Sequence, residues 1–301
     1  MGAAKSLFKL IESENWPKVE EFLLDNDIGH ETKIENLRFR DKYKANPLDL
    51  AIYNKAPIYI IVLMVDIGGE EMLSMTDNDG SCSLHHAVIA GSSVNLLMLI
   101  TRIAGCQVLS GRDSRGKIPL HHCIDRYNEP DLATFKFLVK EGMLCEIGGK
   151  YGLGGIFIGD KLGYSTFDFL IKRFSWGDAV VQALNEAVKG KPLLHGAIRN
   201  VTKENIEKII TKFPWSVSTY DNWGRLPIHV AAESGMTWDQ GLEMIVNAKD
   251  EFIEAYDKKV TRLYPFLIAA AGNNNDLNTV YHLIQRSLPL LLVLSNQNEK
   301  I

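Results

Sequence analysis

One frame of residues returns along this chain about every 36 positions, and it limits the fold more than any other feature. Take Leu120 as its anchor, within Asp113-Ser-Arg-Gly116-Lys-Ile-Pro119-Leu120-His121-His122-Cys123. The counterparts are Leu48, Leu84, Phe167, Leu194, Ile228 and Phe266. Successive anchors lie 36, 36, 47, 27, 34 and 38 residues apart, and the two irregular gaps together span two periods of 37. Seven residues before the anchor stands Asp in five copies (Asp41, Asp77, Asp113, Asp160, Asp221). Four before it stands Gly (Gly80, Gly116, Gly163, Gly190, Gly224). One before it is Pro (Pro47, Pro119, Pro227, Pro265), one after it His (His85, His121, His195, His229), and three after it Ala (Ala51, Ala87, Ala197, Ala231, Ala269). Recurrence at five offsets marks a chain of like modules.

Each offset has a physical reason. An Asp carboxylate accepts backbone N–H groups in a tight turn, and Gly three residues later supplies positive φ. Asp-x-x-Gly therefore predicts the tip of a short hairpin-like finger. Pro suits the first turn of a helix, where its missing N–H is not needed. The His can bond to the neighbouring turn, and Ala lets a second helix approach closely. Gly91 and Gly235, seven after their anchors, suit a helix C-terminus. Apolar second helices follow, as in residues 94–100 and 242–246.

The pattern Asp-x-x-Gly-x-x-Pro-Leu-His-x-Ala at this period resembles the ankyrin repeat. The segment around Leu263-Tyr-Pro265-Phe266 is similar to repeats in the large ankyrin families of diatoms. The resemblance implies an all-α solenoid of about eight helix-turn-helix units with short β-hairpin-like fingers, binding protein on its concave side. It covers nearly the whole chain, as one domain over residues 1–301. Residues 1–44 would be a degenerate N-terminal capping unit, 45–262 the central repeats, and 263–301 a C-terminal cap. Asp49 and Asp168 depart from the pattern in place of His, and Arg262 in place of the turn Gly.

Composition fits this. A chain of 301 residues with 46% apolar content can bury a continuous core through nearest-neighbour stacking. A net charge of −4 favours neither nucleic acid nor membrane. The four cysteines show no secreted-framework spacing, so reduced thiols in a cytoplasmic or nuclear monomer are expected. The longest apolar runs are far shorter than the roughly 20 residues of a membrane span. Met1-Gly2-Ala-Ala-Lys5-Ser6 matches the N-myristoylation pattern, with Gly2 as acceptor. The alternative is a plain helix start, and a lone acyl chain gives only marginal, reversible membrane binding.

Glycines crowd residues 145–163, but no Gly-Lys-Ser/Thr follows and no strand pattern precedes, so an enlarged finger is expected rather than a phosphate loop. His85-His86 and His121-His122-Cys123 invite a metal reading. Stacked helices roughly 8–10 Å apart cannot share one zinc ion through contacts near 2 Å, so no metal and no cofactor is implied. Hydrolase, zincin and kinase signatures are missing, and the expectation is a protein that is not an enzyme.

In the resemblance, the exposed concave positions fall six, five and three before the anchor and five and six after it. Around Leu120, Phe167 and Leu194 these fifteen positions hold nine Lys or Arg and one acid, where the chain average predicts fewer than two basic residues. The expected partner-binding stripe comprises Arg115, Lys117, Arg126, Lys161, Lys172, Arg173, Lys189, Lys191, Arg199 and Arg225, with Tyr164 and Trp223 as aromatic anchors. It would engage an acidic protein segment. The competing readings are a solvated charged face and, through the same stripe, nucleic acid; sparse stacking aromatics and acidic net charge disfavour the latter.

Overall fold

The computed structural model describes residues 4–125, 131–174, 178–200, 203–272 and 276–298. Gly2 and Arg126 lie outside them, as does the side chain of Arg173. Every regular element among the described residues is a helix and none is a strand; one isolated bridge joins Gly159 and Ser165. The chain divides into two compact units, Met1–Ala183 and Leu184–Ile301.

The first unit contains α1 (Ala4–Glu12), α2 (Trp16–Leu24), α3 (His30–Leu37), α4 (Pro47–Tyr53), α5 (Ile58–Gly68), α6 (Ser83–Ala90), α7 (Val94–Ala104), α8 (Gln107–Ser110), α9 (Pro119–Ile124), α10 (Leu132–Leu144) and α11 (Thr166–Phe174). The boundary falls within α12 (Asp178–Val188). The second unit continues with α13 (Leu193–Asn200), α14 (Lys203–Lys212), α15 (Pro227–Glu233), α16 (Leu242–Ala248), α17 (Pro265–Ala271) and α18 (Leu277–Asn298). Within the first unit α4, α6, α9 and α11 pack in sequence order, each of the first three also on the helix that follows it. Within the second, α13, α15 and α17 do the same. All seven anchor side chains are buried, so the repeated apolar position is the core.

The turns before these helices repeat in atomic detail. In five of them the Asp Oδ1 accepts the N–H groups two and four residues on, at 2.8–3.0 Å. The Asp N–H in turn donates to the carbonyl four residues on. All seven positions four before the anchor have φ between 58° and 84°, including Lys44 and Arg262 where Gly is missing. Successive turns in the first unit are tied by one main-chain bond each: Asn78 N–H to Tyr43 O, Ser114 N–H to Asp79 O, and Lys161 N–H to Arg115 O. A Cβ on Gly116 would lie 2.8 Å from Lys161 N, so the close approach requires glycine there. The expected hairpin-like fingers are thus turns, not strands. The turn before α13 is shorter than the others, because α12 runs on to Val188 and leaves no room for it.

His85 shows what the frame histidine does. Its Nδ1 accepts the Cys82 N–H at 3.2 Å, and Nε2 lies 3.1 Å from the carbonyl of Lys117 in the next turn. His195 reaches Arg225 O at 2.9 Å and His229 reaches Ala255 O at 2.8 Å. Burial lowers the pKa of both His85 and His195 to about 4.

Three expectations are corrected. Cys106 and Cys145 are not thiols but form a disulfide; Cys82 and Cys123 remain reduced and buried. The Gly-rich segment is not mainly an enlarged finger. Residues 149–155 form two short 3₁₀ turns packed on α10, with Tyr151, Leu153, Ile156 and Phe157 buried. Its glycines answer to that contact, since a Cβ on Gly154 would lie 2.3 Å from Val139 O and one on Gly142 2.6 Å from Gly154 O. Finally, within the C-terminal cap expected as one more helix-turn-helix unit, α18 runs as a single long helix through Pro289.

Candidate functional site

The surface expected to carry function sits on the turns and on the C-terminal ends of the helices that follow them. Two contacts decide which of its charges are available. The residue three before the anchor sits at the foot of the turn, and the residue five after it sits one helical turn beyond the anchor on the same side. In three frames these two positions touch. Lys117 Nζ lies 2.5 Å from Asp125 Oδ2. Lys172 Nζ stands 5.4 Å from the centre of the Tyr164 ring. Arg225 Nη1 lies 2.9 Å from Glu233 Oε2.

This changes the standing of two expected site residues. Lys117 is 7% exposed, and its ammonium also lies 5.2 Å from the centre of the Phe169 ring. Arg225 is 2% exposed, with Nε 3.1 Å from Asp221 Oδ2. Both are corrected from surface ligands to buried, paired cations that brace their turns. A buried cation in low dielectric is held only by such partners, and removing either partner leaves a costly charge. Arg199 is exposed but paired with Glu233 at 3.0 Å.

In the first unit Arg115, Lys161 and Lys172 are exposed and make no ion pair among the described residues. The bond from Lys161 N–H to Arg115 O fixes two of them side by side. Leu162, 80% exposed, and Tyr164, 45% exposed, stand between these charges. The Tyr164 ring leans on Phe169, centres 6.1 Å apart. The cluster is therefore three cations around an apolar Leu-Tyr tip, held by a turn whose Asp160 carboxylate accepts the Leu162 and Tyr164 N–H groups. In the second unit Lys189 and Lys191 flank Gly190 and are exposed, and Trp223 is 37% exposed.

Sequence reasoning missed three things here. Leu162 occupies one of the concave positions, but the stripe was drawn from its cations and aromatic residues alone. The counter-charges Asp125 and Glu233 stand eight residues after Lys117 and Arg225, a spacing repeated in both frames. Asp257, nine before Phe266 rather than seven, escaped the search. It nevertheless caps its turn, accepting N–H groups from Lys259, Val260 and Thr261.

The histidine pairs bring no metal site together: among the described residues no group of three or more His, Cys, Asp or Glu could hold an ion. Instead His122 Nε2 bonds Asp113 Oδ2 at 3.0 Å, and His86 lies 3.2 Å from Asp77. Burial lowers the pKa of each histidine, more than the neighbouring carboxylate raises it. No described helix is long and apolar enough to cross a membrane. In comparisons with known proteins, no family model matches the chain and no curated protein matches it.

Proposed function

We propose that this chain is a non-catalytic protein-interaction scaffold of the ankyrin-repeat type, and that Arg115, Lys161, Leu162, Tyr164 and Lys172 receive an acidic protein segment. The observation that carries the reading is the set of three cations that make no ion pair among the described residues, around an exposed Leu-Tyr tip. The turn geometry supports it: one main-chain bond per turn holds the tips in register, so the cluster is ordered before a ligand arrives. Preorganised aromatic and cationic groups at one spot are what interface hot spots are made of.

The test is a fluorescein-labelled Glu-rich peptide carrying leucines, titrated against wild type and the R115E/K161E/K172E variant. The expected result is binding that weakens at least about tenfold on reversal, since charge complementarity of a few such contacts is worth that much. Unchanged binding refutes the assignment. An oligothymidylate titrated alongside separates the second reading: nucleic acid requires affinity that falls steeply with salt.

A further inference from the structure

The Gly-rich segment and the disulfide beside it are used by nothing above. Cys106 follows the C-terminal end of α7, and Cys145 caps α10. Between these helices runs a groove of about 470 Å³, lined by Asn95, Met98, Leu99, Arg102, Phe137 and Glu141 among others. The groove opens between the helices although α10 also touches α7 and α8, and the covalent bond adds a tie at their ends. From Cys145 the chain turns directly into residues 146–157, which lie on α10 through glycine backbone contacts. At their far end the segment is tied by Phe167 N–H to Ile156 O. Its near end is held by Glu146 N–H to Met143 O, by Ile147 N–H to Gly142 O and by the disulfide at Cys145.

The bond is also open to attack. Cys106 is exposed and Cys145 half-buried, with Gln107, Leu144 and Glu146 exposed around them. A side chain on the preceding Gly105 would meet nothing within 4 Å. Cys82 and Cys123 are buried elsewhere in the unit and take no part.

We propose that Cys106–Cys145 is a thiol-exchange site for small thiols, and that opening it loosens the Gly-rich segment on α10 by removing one of the ties at its near end. The thiolate of a low-molecular-weight thiol attacks Sγ of Cys106, the more exposed of the two cysteines. A mixed disulfide forms there, the Cys106–Cys145 bond breaks, and Cys145 leaves as thiolate and takes up a proton. A second thiol attacks the mixed disulfide, giving the oxidised small disulfide and the Cys106 thiol. Two thiols thus supply the two electrons.

The experiment uses the full chain and reduced glutathione. Limiting glutathione, followed by alkylation and peptide mass spectrometry, is expected to place glutathione on Cys106 and a free thiol on Cys145. Complete reduction with dithiothreitol is expected to speed amide exchange in residues 145–157 at least tenfold, while α4 and α5 keep their protection. Reoxidation with diamide should restore protection. A C106S/C145S variant should exchange like the reduced protein and ignore dithiothreitol. Glutathione on Cys145, alkylation of Cys106 and Cys145 before any reduction, unchanged exchange in 145–157, or equal loosening of α4 and α5 would each overturn the proposal. The wild-type measurements stand whether or not the double variant folds.

Discussion

Lowering the pH should weaken the first unit through His85 by an amount that can be worked out. In the folded chain Nδ1 accepts the Cys82 N–H, so the ring proton resides on Nε2 and points at Lys117 O. A second proton would set two donors face to face in a buried site. Burial, the largest influence, accordingly lowers the pKa from 6.5 to about 4. The folded value is below the unfolded one, so between pH 6.5 and 4 the unfolded chain binds the extra proton. The stability is intact above pH 6.5 and is lost as pH falls toward 4. At about 1.4 kcal/mol per pH unit the full loss is about 3 kcal/mol, of which about 2 kcal/mol falls between pH 7 and 5. Asp49 acts in the opposite sense over this range, so wild type alone is not diagnostic. The comparison is between wild type and H85Q in urea denaturation followed by circular dichroism at pH 7, 6 and 5. The variant starts lower, having lost the turn contact, but its curve should fall about 2 kcal/mol less from pH 7 to 5. Parallel pH dependences would refute the buried neutral imidazole as the link between turns.

Asp49 occupies the frame position of His and is buried, with Ser83 Oγ donating to Oδ1 at 2.6 Å and Oδ2 unpartnered. Burial raises its pKa from 3.8 to about 7, so its stability is present at lower pH and lost as pH rises through 7. D49N should therefore gain on wild type by about 1.4 kcal/mol per pH unit as pH rises from about 4 toward 7, and level off above 7, as read from urea midpoints at pH 5, 6 and 8. Arg262 holds φ 58° without being glycine; R262G should raise stability by about 1 kcal/mol, whereas G116A should lower it by more than that. R225A should cost about 3 kcal/mol because it removes the cation paired with buried Asp221, while R115A should stay within about 0.5 kcal/mol. Equal effects of the last two would contradict the division into bracing and surface cations.

The sequence made the turns legible because their chemistry is local. Asp113, Gly116 and Pro119 act within a few residues of themselves, so their spacing carries the geometry. His85 was legible because its reach to the next turn is itself periodic. The Cys106–Cys145 bond was not, since it joins the ends of two helices whose relation depends on the segment inserted between Cys145 and Phe167. That insertion breaks the period, and no local rule says that its glycines lie on α10. The length of α18 was not legible either, because Pro289 disfavours a helix interior locally and the repeat predicts no helix of that length.

The charged stripe shows a different limit. Counting Lys and Arg at concave positions treats each as independent, but the turn and the helix bring the third residue before the anchor against the fifth after it. A cation at the first position facing an acid at the second, as in Lys117 with Asp125, adds nothing to the field that a partner meets. The same geometry with Tyr164 and Lys172 leaves the charge outward, because a ring face attracts an ammonium without neutralising it. Charge at the tip positions has no such neighbour, and there Arg115 and Lys161 are brought together by a main-chain bond that depends on no side chain. The pairing of positions, rather than the number of cations, therefore determines where this chain can attract an acidic ligand.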